Sequence, residues 1–120
     1  MTSFIDTHCH LDKLDSTPEE AVKQAIQEGV KTMVTISVDE ESFDFVSNAV
    51  MQFKDVYGTI GVHPHDASEF RPSLEQSIRK LAREQDKLIA IGETGLDYHY
   101  MNSSTENQQF AFRKQLQIAV

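Results

Sequence analysis

Cysteine occurs once in the 120 residues, tryptophan not at all, and basic side chains are outnumbered, 11 Lys and Arg against 19 Asp and Glu. A single thiol excludes an intramolecular disulfide. The formal charge of −8 excludes a protein that grips nucleic acid through a basic face, because neutralisation by Lys and Arg supplies most non-specific affinity. A phosphate-bearing substrate must therefore be held locally, and a metal ion can do that. No apolar run approaches the length of a membrane span, and the N-terminus has neither a basic start nor an apolar stretch of signal-peptide length. Low-complexity segments and polar linkers are also missing. The expectation is a cytoplasmic chain with no membrane partner, one domain at most and large enough for a core.

What is present alternates short β-branched runs with amphipathic helices. Phe4 and Ile5 lead the first strand. Thr17, Pro18 and Glu20 then form a helix start, with Thr17 as N-cap, Pro18 in the first turn and Glu20 closing a capping box. Ala21, Val22, Ala25 and Ile26 share one face of that helix, and Gly29 ends it. Thr32 to Ser37 reads as a second strand. Asp39 caps a helix whose Phe43, Val46, Ala49, Val50 and Phe53 recur at spacings of three and four. A third strand is expected over Val56 to Val62, and a helix opened by Ser73 with Leu74, Ile78, Leu81 and Ala82 inward. Leu88 to Ile91 is the fourth strand. A last helix is expected near Ser103, with Phe112, Leu116, Ala119 and Val120 on its inner side.

Strand centres near Ile5, Val34, Ile60 and Ile89 recur at roughly thirty residues, the size of one βα unit in a barrel of eight. Strict βα alternation implies a parallel sheet covered by helices, with right-handed crossovers. The chemistry-bearing residues then share one edge. His8 and His10 follow the first strand, His63 and His65 the third, and Glu93 the fourth, at the C-terminal rim where barrels and doubly wound sheets place their sites.

Residues two apart on an extended chain point to the same side, so His8 and His10 converge while Cys9 turns away as a packed small hydrophobe. Paired imidazoles suit a Zn, Mn, Fe or Ni type ion, with Asp6 or Asp12 available to orient a ring. Glu93 sits in Gly92-Glu93-Thr94-Gly95, which frees the backbone to turn the carboxylate inward, where it can bridge two metals; capping the loop is the plainer role. His63 precedes Pro64, which holds it extended at the strand end, facing the site. His65 is either a substrate contact or a solvated turn histidine. Tyr98, in the loop after the turn, can donate to a phosphate, stack on a base or simply pack over the rim.

Three segments together, Asp6-Thr7-His8-Cys9-His10-Leu11-Asp12, Gly61-Val62-His63-Pro64-His65 and Ala90-Ile91-Gly92-Glu93-Thr94-Gly95-Leu96-Asp97-Tyr98, resemble the successive signatures of the TatD-like metal-dependent deoxyribonucleases. The resemblance implies an α/β fold, a TIM-type (β/α)8 barrel of the amidohydrolase-like superfamily, of which residues 1–120 supply about the first four βα units as the N-terminal half of one domain. It also implies hydrolysis of phosphodiester bonds in DNA with one or two divalent ions (Mg, Mn or Zn). His8 and His10 match the first-strand ligands, Glu93 the catalytic carboxylate that binds or bridges the metals, and His63 a position facing the substrate. Family members run to about twice this length. Their later half supplies two further histidine ligands and a final aspartate, so as it stands the chain is expected to be a weak or inactive hydrolase. The apolar stop at Val120, in mid-pattern, reads as an N-terminal fragment. Two alternatives accompany this reading. One is a related barrel hydrolase of an amide, lactone or other ester; the other is a non-catalytic half-barrel that self-associates through its open sheet.

Overall fold

A computed structural model describes residues 2–120. Its strands β1 (Phe4–Cys9), β2 (Val30–Ile36), β3 (Val56–Ile60) and β4 (Leu88–Ile91) form one sheet in the order β1-β2-β3-β4, with every pairing parallel. Helices α1 (Pro18–Gln27), α2 (Glu40–Gln52), α3 (Pro72–Glu84) and α4 (Thr105–Ala119) alternate with and follow the strands. Chain order equals strand order because each crossover returns the chain one strand further along, as in the opening units of a βα barrel.

Local chemistry sets most boundaries. The Thr17 hydroxyl accepts from Glu20 N–H at 3.2 Å and the Glu20 carboxylate accepts from Thr17 N–H at 3.1 Å, the reciprocal box expected. Gly29 adopts φ +96°, a left-handed conformation suited to glycine, and its carbonyl accepts from Phe4 N–H at 2.9 Å. At the start of α2 the Asp39 carboxylate accepts from Ser42 N–H at 2.9 Å, while the Ser42 hydroxyl receives the Asp39 N–H at 3.1 Å.

Four expectations need correction. Strand β3 ends at Ile60, not Val62, because Gln115 and not another strand takes up the Val62 backbone groups. Helix α3 starts at Pro72, whose fixed φ suits the first helical position, so Ser73 lies inside the helix. Ser104, not Ser103, caps α4. The Ser103 hydroxyl is engaged elsewhere, donating to the His65 carbonyl at 2.9 Å and accepting from Ser68 N–H at 3.2 Å. Finally, the buried side of α4 is Gln108, Ala111 and Gln115, with Leu116 and Val120 exposed. Loop backbones at the sheet's C-terminal end lack strand partners, and the two glutamines supply the hydrogen bonds that apolar residues cannot.

Two apolar clusters hold the helices down. Leu11, Val22, Met33, Ala49 and Val56 pack beneath α1 and α2. Phe43, Val46, Val50, Ile60, Val62, Leu74 and Ile78 form the larger cluster under α2, α3 and α4. A Cβ on Gly58 would stand 2.5 Å from Val46 Cγ1, so glycine is what lets α2 lie so close to β3. The outer strands are different: Phe4 is 58% exposed, Ile5 65% and Ile89 56%.

Candidate metal centre

Alternation carried one residue past the end of β1 sends His8 and His10 to one side, with ring centroids 5.1 Å apart and edge-to-face. Cys9 turns into the core as expected, its thiol donating to the Val34 carbonyl at 3.4 Å. Burial, and then the nearby Asp6 carboxylate, push that thiol up to about 11.

Glu93 reaches the histidines from β4. Donor atoms of His8, His10 and Glu93 all lie within 4.8 Å of one another, with Glu93 Oε2 3.4 Å from His8 Nε2 and 3.8 Å from His10 Nε2. His63 Nε2 stands 3.3 Å from the other oxygen, Oε1. The donor set fits a divalent ion by an observation on His10. Its Nδ1 lies 3.1 Å from the Ile36 carbonyl oxygen, which can only accept, so the ring proton sits on Nδ1 and Nε2 offers its lone pair to the cluster. The expected orienting groups Asp6 and Asp12 do other work. Asp6 accepts from the His8 backbone N–H at 3.0 Å, and Asp12 lies 3.6 Å from Lys13 Nζ.

The backbone beneath Glu93 is tied to β3 and to the residue that follows β2. Glu93 N–H donates to the Ser37 carbonyl at 2.8 Å and Gly92 N–H to the Ile60 carbonyl at 3.0 Å. The Gly92 carbonyl accepts from the Thr59 hydroxyl at 2.7 Å and lies 3.4 Å from Ser37 Oγ, which also receives Gly61 N–H at 2.9 Å. A Cβ on Gly61 would fall 2.6 Å from the Gly92 backbone, so only glycine permits this approach.

His65 turns towards the following loop. Its Nε2 is 2.6 Å from Asp97 Oδ2, and its ring meets Tyr100 edge-on at 5.8 Å. The backbone N–H of Tyr100 and the His65 ring hold the Asp97 carboxyl below its usual range. Gln108 secures the same loop, accepting from Asp97 N–H at 2.7 Å and donating to the Asp97 and Ser103 carbonyls, each at 2.9 Å.

His8, His10, Val38, His63, His65, Asp66 and Glu93 line a cleft of about 330 Å³. Five of the six residues singled out from sequence thus meet in one place. Tyr98 does not line the cleft; its hydroxyl accepts from Gln109 Nε2 at 3.0 Å. A neighbouring cleft of about 300 Å³ is walled by Asp39, Glu40, Glu41, Asp66 and Glu69 beside one Arg71, a charge balance that repels phosphate. Sequence reasoning missed Ser37, Thr59, Gln108 and Gln115. Their signal was there: Gln108, Ala111 and Gln115 fall on one helical face, and Ser37 and Thr59 interrupt apolar strands.

A parallel βα sheet with an imidazole and carboxylate cluster on its C-terminal rim is the arrangement of the metal-dependent α/β-barrel hydrolase class. The TatD related DNase family matches residues 5–120, and the chain belongs to it. YabD of Bacillus subtilis, described as an uncharacterized metal-dependent hydrolase, is 33% identical over 97% of this chain and 46% of its own length. The 3'-5' ssDNA/RNA exonuclease TatD of Salmonella typhimurium is 36% identical over 84% of this chain and 38% of its own. The structure of YjjV, a TatD homolog from Escherichia coli, superposes with a TM-score of 0.86 at 28% identity, covering 97% of this chain and 46% of that one. The chain therefore spans about half the length of the relatives it matches, and its sheet is a partial barrel of the first βα units.

Proposed function

We propose that the chain is the N-terminal half, residues 1–120, of a single hydrolase domain that cleaves phosphodiester bonds in DNA with one or two divalent ions, Mg, Mn or Zn. The observation that carries this reading is the convergence of His8, His10 and Glu93 within 4.8 Å, with the His10 ring turned to offer Nε2. These three residues hold the metal. Bound there, a divalent ion supplies Lewis acidity towards a phosphoryl oxygen and lowers the pKa of a water. Glu93 is the catalytic carboxylate, His63 and His65 face the phosphate side of the cleft, and Tyr98 stands outside it as a contact for a base or phosphate further along the strand. Holding the phosphate by a metal also reconciles an anionic substrate with a chain of charge −8. No helix among the described residues is long and apolar enough to cross a membrane, and the proposed location is the cytoplasm.

His8→Ala should remove most Zn or Mn binding in calorimetry. Equal affinity in substituted and parent chains rejects the metal assignment. The chain alone should hydrolyse single-stranded DNA only slowly. A panel of DNA, small phosphodiesters, amides and lactones separates the nuclease reading from that of a related hydrolase of another ester or amide, which His-x-His on β1 also suits. The exposed Phe4, Ile5 and Ile89 favour self-association of the isolated chain through its outer strands. Light scattering tests it, and a monodisperse monomer would reject it.

A further inference from the structure

Four histidines surround the cleft, and the hydrogen bonds of two of them assign opposite tautomers. His10 carries its proton on Nδ1, against the Ile36 carbonyl. His63 is the reverse. It is the N-cap of a 3-10 turn, Pro64–Glu69, in which Pro64 has no N–H, so the first donor left over is the backbone N–H of His65. That N–H donates to His63 Nδ1 at 3.0 Å. A nitrogen that accepts carries no proton, so the ring proton of His63 is on Nε2, which stands 3.3 Å from Glu93 Oε1.

We propose that His63 is a positioning residue, a fixed Nε2–H donor that holds Glu93 Oε1 and leaves Oε2 to the metal side, and is neither a metal ligand nor a proton acceptor. Its lone pair is spent on the backbone, so Nε2 has none to offer an ion. The backbone that carries the ring is tied on both sides. His63 N–H donates to the Val38 carbonyl at 2.7 Å, and Gln115 binds the preceding Val62 by both backbone groups, at 2.7 and 3.1 Å. Glu93 is thereby divided, with His8 and His10 on Oε2 and His63 on Oε1. A donor beside a ligating carboxylate fixes its orientation, and removing such a partner typically weakens metal binding by about 10–100-fold. A phosphate arriving in the cleft meets His63 as a donor as well.

The effect on metal affinity rests on the proposed metal centre; the tautomer does not. The test has two arms on the full 120-residue chain. Long-range 1H–15N correlation of the imidazoles should find Nε2 protonated and Nδ1 bare in His63, with the opposite in His10. Zinc calorimetry should find His63→Leu weakened by about 10–100-fold. His63→Gln, whose side-chain amide retains a donor, should stay within about threefold of the parent. An Nδ1–H tautomer at His63 overturns the proposal, as do an unchanged affinity in His63→Leu, equal losses in the Leu and Gln variants, or a His63→Gln loss as large as that of His8→Ala. A parent chain that binds no zinc rejects the metal centre itself, and the nitrogen spectrum, which needs no variant, still decides the tautomer.

Discussion

The two halves of the candidate centre are built differently. His8 stands on β1, an outer strand whose residues are almost all exposed, and His10 follows its end; the His8 side chain is 55% exposed. Among the described residues the side-chain anchors of this half are few: the Asp6 carboxylate on a backbone N–H, the Cys9 thiol on the Val34 carbonyl and the Ile36 carbonyl beside one ring. Glu93 and His63 rest on a lattice of buried hydrogen bonds through Ser37, Thr59 and Gln115, with glycine at Gly61 admitting the Gly92 backbone. Exposed side chains cost little stability to alter, whereas a buried lattice loses stability with each partner removed. The carboxylate side is thus the rigid reference, and the histidine pair is the side with room to adjust to an ion.

The largest effect expected from this contrast is on Gln115. Gln115→Ala leaves the buried N–H and carbonyl of Val62 without partners, at about 1–3 kcal/mol for each group. Urea unfolding should show a loss of about 2–6 kcal/mol, beside a change of less than about 0.5 kcal/mol for His8→Ala, whose expected loss is in metal binding. Equal destabilisation by the two would erase the distinction. A smaller loss is expected at Ser37. Ser37→Ala strips Gly61 N–H of its acceptor and should cost about 1–2 kcal/mol in the same titration, with weaker zinc binding because the Glu93 backbone loosens. An unchanged zinc affinity would show that Glu93 does not depend on this lattice.

The smallest effect concerns the loop after Glu93. Asp97 has its pKa lowered, first by the Tyr100 N–H and then by His65, so its contribution is complete above the unfolded value of about 3.9. It is lost as the pH falls below that value through the folded one. Amide exchange of His99 and Tyr100, whose N–H groups donate to Asp97 Oδ1 at 3.0 Å each, should accelerate over that acid range. In Asp97→Asn the acceleration should disappear, and if it persists another group titrates there.

Much of this molecule is written in neighbouring residues. The cap at Thr17, the stop at Gly29, the inward stripe of α2 and the shared direction of His8 and His10 depend on residues one to four apart, where the geometry of helix and strand dictates who meets whom. Repetition of such units places His8, His10, His63, His65 and Glu93 on one rim, because every strand of a parallel sheet ends on the same side. Periodicity was misleading only at α4. There the apolar stripe of Phe112 and Leu116 competes with buried backbone groups that need amide partners, and the unpaired polar groups prevailed.

By itself, then, the sequence determined the βα order, the caps of α1 and α2 and the rim on which the imidazoles and the carboxylate gather, since each follows from local geometry and from the common direction of parallel strands. Only the tertiary structure decided which histidine offers a lone pair and which a proton. It also decided that Ser37, Thr59 and Gln115 secure the carboxylate's side of the centre. Ile36 meets His10 across 26 positions, Ser37 meets Gly92 across 55 and Gln115 meets Val62 across 53. A hydrogen bond has a range of about 3 Å, and no pattern of residue types fixes which distant groups the folded chain brings within it.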